Sequence, residues 1–61
     1  NGVTPLHWAA ASGDTIVAQL LIAEGANVNA KSLDGMTPLA VARAMGHEEV
    51  ADLLTRHGAR N

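Results

Sequence analysis

His47-Glu48-Glu49-Val50-Ala51 opens as a zinc-protease helix does, with an imidazole followed by a carboxylate that could serve as general base. That chemistry needs a second His four residues on, on the same helix face, and Ala51 stands there. The other imidazoles, His7 and His57, do not converge with His47. The three occupy different places in the sequence pattern described below, so each is expected in a turn or capping role and no metal ligand set is assigned. Cysteine is absent, which excludes disulfides, thiolate metal sites and Cys nucleophiles. Ser12 and Ser32 lie in no nucleophile-elbow context, and no glycine-rich phosphate loop is present. Glu48, Glu49 and Asp52 read as a solvated face. Catalysis needs convergent titratable groups; with none here, the expectation is a non-enzyme without cofactor or metal.

The elements that would position any site follow from a repeat. Thr4-Pro5-Leu6 recurs as Thr37-Pro38-Leu39, and sliding the chain by 33 residues aligns 1–28 with 34–61. Thirteen of the 28 pairs are identical without a gap, among them Gly2/Gly35, Gly13/Gly46, Val17/Val50, Leu20/Leu53, Leu21/Leu54 and Gly25/Gly58. Each unit reads as two short helices. Threonine can cap an orphan N–H, and proline at the first helical position has none to leave unpaired. Gly13 and Gly46 stop the first helix of each unit as left-handed residues do. Asp14 and Glu48-Glu49 place acids where the next helix dipole favours them. Val17, Leu20, Leu21 and Val50, Leu53, Leu54 lie at i, i+3, i+4, one apolar stripe per second helix. The predicted spans are 5–12, 15–24, 38–45 and 48–57, and 27–36 reads as an extended, hairpin-like turn around Asp34-Gly35. Ala9, Ala10, Ala42 and Ala44 keep the first helices thin. Stacking the two pairs should merge Leu6, Leu39 and the second-helix leucines into one core.

Composition sets the outer limits. The chain is 61 residues long, 48% hydrophobic and 16% charged, with twelve alanines and a single aromatic, Trp8. It is too apolar for a disordered segment. A net charge of −2 and the lack of Phe and Tyr argue against a nucleic-acid partner. No apolar run reaches 18 residues and no secretory signal begins the chain, so no membrane association is expected. The start at Asn1 rather than Met suggests a fragment or processed product.

These motifs resemble the ankyrin repeat. Asn1-Gly2-Val3-Thr4-Pro5-Leu6-His7-Trp8-Ala9-Ala10-Ala11-Ser12-Gly13 and Gly25-Ala26-Asn27-Val28-Asn29-Ala30 follow its pattern, as do Asp34-Gly35-Met36-Thr37-Pro38-Leu39, Gly46-His47 and Leu53-Leu54 to Gly58-Ala59. The resemblance covers essentially the whole chain. It implies an all-α solenoid of two helix-turn-helix units joined by a hairpin-like loop, 1–33 being an internal-type repeat uncapped on its N-terminal side and 34–61 a C-terminal cap-like repeat. His7 matches the turn histidine; Ala40 replaces it in the second unit, where the turn should lose its side-chain hydrogen bonds. Asn27 and Asn29 match asparagines that hydrogen-bond the turn. Glu48 and Thr55 stand where internal repeats bury apolar side chains, and Asp52 and Arg56 form a favourable i,i+4 pair, as a wet terminal face requires.

The resemblance also implies a function: binding a protein partner through the hairpin tips and the first-helix surface. The matching positions are Asn1, Val3, Trp8, Ala11 and Ser12, then Lys31, Leu33, Asp34, Met36, Ala44 and Met45. Leu33, Met36 and Met45, apolar or adaptable residues at or near the tip, are the expected centre of the contact patch. Trp8 reads either as inter-repeat packing or as a contact residue. The rival readings are a structural end of a longer array and a scaffold that self-associates through the uncapped Trp8 side, closing it by a two-fold arrangement. The expected location is intracellular, cytoplasmic or nuclear.

Overall fold

A computed structural model gives the structure and describes residues 2–60. Four helices follow in order, α1 (Pro5–Ser12), α2 (Thr15–Ala23), α3 (Pro38–Ala44) and α4 (Glu48–Arg56), with no strand among the described residues. Three of the predicted helices close one residue early, because Glu24, Met45 and His57 are the C-caps of α2, α3 and α4.

The start signals act as their chemistry requires. The Thr4 hydroxyl accepts from the His7 N–H (3.4 Å), and His7 Nδ1 accepts in return from the Thr4 N–H (3.1 Å). This reciprocal pair satisfies two of the donors that a helix N-terminus leaves orphaned. In the second unit the Thr37 hydroxyl still accepts from the Ala40 N–H at 3.1 Å. The expectation that this turn loses its side-chain bonds is therefore corrected: only the imidazole half is missing. Asp14 caps α2 by accepting from the Val17 N–H at 3.0 Å. His47, at the matching place, makes no cap bond. It donates from Nε2 to the Ala11 carbonyl of α1 (3.1 Å), a bridge between the helix pairs where a capping role was expected. Its ring lies so close over Gly13 that a Cβ there would sit 2.7 Å from Nδ1. Gly13 thus serves twice, as a left-handed residue (φ 74°) and as the floor under His47.

The pairs stack α1 on α3 and α2 on α4. Leu6, Leu39, Val50 and Leu54 fill the core between Ala9, Ala10, Ala18 and Ala42, whose small side chains let the helices approach closely. The expected apolar stripe of α2 holds only in part. Leu21 packs against the core, but Val17 is 41% and Leu20 60% exposed. The equivalent Val50 is sealed and Leu53 half-buried. The stacking of α2 on α4 covers that side of α4, and the described residues provide no helix to cover the same side of α2. Proline behaves alike: Pro38 is buried and Pro5 exposed.

The connection is a turn held by single bonds. The Ser32 N–H donates to the Met36 carbonyl (2.9 Å) and the Gly35 N–H to the Ser32 carbonyl (2.9 Å). Asn27 keeps the local turn by accepting from the Asn29 N–H. Asn29 reaches further than expected, donating to the Gly58 carbonyl (3.1 Å) and accepting from the Arg60 N–H (2.7 Å), so it ties the two units together behind α4.

Candidate functional site

A groove of about 330 Å³ runs between α1, the Ser32–Met36 turn and α3, walled by Val3, His7, Trp8, Ala11, Ser32, Asp34, Met36 and Val41. Its geometry is fixed from beneath. His7 is buried, and with Nδ1 accepting from Thr4 its proton sits on Nε2, which donates to the Met36 carbonyl at 2.8 Å. One imidazole therefore caps α1 and pins a turn 29 residues away. Ser32, also buried, organises the turn: its hydroxyl donates to the Asp34 carboxylate and accepts from the Met36 N–H (3.2 Å). The Ser32 hydroxyl, aided by the backbone N–H groups of Met36 and Asp34, holds the Asp34 carboxyl below its ordinary value, against partial desolvation. Asp34 thus carries a full negative charge on the groove wall at neutral pH.

The walls are otherwise apolar. Trp8 is 69% exposed and stands between this groove and a second, shallow one of about 410 Å³ bordered by Pro5, Ala9, Ser12, Asp14 and Val17. Such surfaces can exclude water from a partner's apolar side chain. No group of three His, Cys, Asp or Glu able to hold a metal occurs among the described residues. No helix of the described residues is long and apolar enough to cross a membrane.

The groove brings together five of the residues expected from sequence, Val3, Trp8, Ala11, Asp34 and Met36. Ser12 lies on the second groove, its hydroxyl donating to the Ala9 carbonyl at 3.2 Å. Lys31 and Met45 are exposed, Leu33 is 83% exposed at the turn, and none of these three walls either groove. The expected trio of Leu33, Met36 and Met45 is thus divided, with Met36 grouped instead with Val3, Trp8 and Val41. The Asn1 position lies outside the described residues. Sequence reasoning missed Val41 and Ser32. The offset of 33 places Val41 opposite Trp8 and could have marked it; Ser32 has no counterpart in the repeat and gave no signal. On the far side, Glu48 and Thr55 are exposed, and Asp52 and Arg56 face one polar groove with Thr15, Gln19 and Glu49.

Comparison with known proteins places this geometry. A family model described as ankyrin repeats (3 copies) matches residues 1–61. No protein among those with curated descriptions matches significantly. Among solved structures, the crystal structure of the human ASB11 ankyrin repeat domain superposes with a TM-score of 0.92 at 38% identity, over 95% of this chain. The match spans 26% of that domain's length.

Proposed function

Since the chain belongs to the ankyrin repeat family, we propose that it is a non-enzymatic interaction module whose groove between α1, the Ser32–Met36 turn and α3 receives a protein partner. Members of this family generally serve as protein–protein interaction modules and are typically not enzymes. The finer reading assigns Val3, Trp8, Asp34 and Met36 to the centre of the contact. Ser12, Lys31, Leu33 and Met45 form its periphery, and the site of action is intracellular, cytoplasmic or nuclear. The observation that carries it is the apolar groove held open by the His7–Met36 bond. A surface fixed before binding avoids the cost of ordering that surface on association.

The test is selection of protein fragments from a displayed library on the chain, followed by competition with variants. Met36→Ala and Trp8→Ala should each weaken the selected complexes at least about tenfold, the scale of an interface hot spot. Val17→Glu and Leu20→Glu should leave them unchanged. The opposite pattern would refute the groove.

One observation favours a second reading. Pro5, Trp8, Val17 and Leu20 are exposed where Pro38, Val41, Val50 and Leu53 are wholly or partly covered. This apolar side suits stacking, either as the structural end of a longer array, with 34–61 as its polar C-terminal cap, or against a second copy. Sedimentation over a hundredfold concentration range separates the cases. A monomer throughout would remove self-association, whereas a dimer lost on Leu20→Glu would establish it.

A further inference from the structure

The groove's chemistry narrows its occupant. Its apolar lining is Val3, Ala11, Met36 and Val41 together with Trp8. An apolar side chain seated there loses water without leaving a polar group unpaired, since the polar atoms of His7 and Ser32 already bond within the protein. Among the described residues, Asp34 is the one carboxylate on the walls, and neither lysine nor arginine lines them. A cationic side chain meets an anion at Asp34, and the exposed Trp8 indole on the same walls is a group whose ring attracts cations through its quadrupole. An acidic segment meets repulsion from Asp34. The groove is open to solvent and crosses both helix pairs, which suits an extended chain.

We infer that the groove takes a linear peptide segment in which an apolar side chain, seated among Val3, Trp8, Met36 and Val41, is followed directly by an arginine or lysine that pairs with Asp34. This rests on the reading of the groove as the contact surface and adds the partner's chemical class to it. Asp34 then acts as the selector: apolar burial provides the hold, and the carboxylate decides between segments of equal hydrophobicity.

The experiment is a titration of the isotope-labelled 61-residue chain, followed by amide and indole resonances, with three capped hexapeptides. The probes are acetyl-Gly-Ser-Leu-Arg-Ser-Gly-amide, its Leu-Glu counterpart and its Ser-Arg counterpart. The Leu-Arg peptide should shift the Trp8 indole and the Asp34 and Met36 amides, and bind about threefold or more tightly than the Leu-Glu peptide, the scale of an exposed ion pair. The Ser-Arg peptide should bind more weakly still. Asp34→Asn keeps an oxygen for the Ser32 hydroxyl, so the turn should persist, yet Leu-Arg and Leu-Glu should then bind alike. Raised salt should narrow the preference in the unaltered chain. Equal binding of Leu-Arg and Leu-Glu, or a preference that survives Asp34→Asn, would overturn the selection while leaving the groove as contact surface. Shifts confined to Val17, Leu20 and their neighbours would overturn both. No shifts with any peptide would overturn the linear segment as occupant, while the library selection with Trp8→Ala and Met36→Ala judges the contact surface separately.

Discussion

Val17 and Val50 occupy the same place in two helix pairs, yet one is 41% exposed and the other fully buried. Pro5 and Pro38 differ in the same sense, as do Leu20 and Leu53. In the reverse direction, Ala10 is buried, and Arg43, its counterpart, is exposed. The first pair thus shows an apolar side without a neighbour, and the second shows an outer side that is polar. Matching start, stop and apolar positions make matching helices, but what lies alongside decides whether an apolar residue becomes core or surface. Stability in stacked repeats is divided in this way between each unit and its interfaces.

Truncating matched residues sharpens that comparison most. Leu54→Ala empties a sealed site and should cost about 3 kcal/mol, against about 1 kcal/mol for the half-buried Leu21→Ala, read from urea unfolding. Val50→Ala should likewise cost about 2 kcal/mol and Val17→Ala no more than about 0.5 kcal/mol. Equal costs within each couple would mean that the open side is covered in solution.

The glycines give the next effect. Gly13→Ala and Gly46→Ala both force a Cβ into left-handed backbone, at about 1 kcal/mol. Only Gly13 also lies under the His47 ring, whereas nothing lies within 4 Å of a Cβ at Gly46. Gly13→Ala should therefore lower stability by about 2–3 kcal/mol in total. In the double variant with His47→Ala the excess over Gly46→Ala should vanish, which a thermal-melt cycle would show.

A smaller effect tests the turn. Ala40→His restores the imidazole missing from the second unit, and its Nδ1 should accept from the Thr37 N–H as His7 accepts from Thr4. The expected gain is about 0.5 kcal/mol; a loss would show that the second turn has no room for the ring.

The smallest effect is acid dependence. Because the Ser32 hydroxyl lowers the Asp34 pKa in the folded state, this carboxylate's contribution is fully present above the unfolded-state pKa. It fades as pH falls through the lowered folded-state value. The unaltered chain should therefore lose slightly more stability than Asp34→Asn on acidification below the ordinary carboxylate range, measured by chemical denaturation at a series of pH values.

The sequence disclosed the helices because each start and stop is local: Thr4-Pro5, Gly13, Thr37-Pro38 and Gly46 act within a turn of where they stand. It also disclosed Val3, Trp8, Asp34 and Met36 as surface candidates, since the repeat assigns them a place. It did not disclose that Leu20 is surface, because periodicity marks an apolar face without saying what covers it. Nor did it disclose the bonds from His47 to Ala11 or from Asn29 to Gly58 and Arg60, which span 29 to 36 residues and exist only once the pairs stack. Ser32 escaped for another reason. Its role depends on a five-residue turn geometry, and serine is common in turns that do nothing further.

The groove carries the functional account, and the open side of α2 is its competitor. A chemical-shift map of the labelled chain with a protein fragment selected on it decides between them. The account predicts perturbations at Val3, Trp8, Ala11, Asp34, Met36 and Val41. Perturbations centred instead on Pro5, Ile16, Val17 and Leu20, with Val3, Asp34, Met36 and Val41 unmoved, would contradict it.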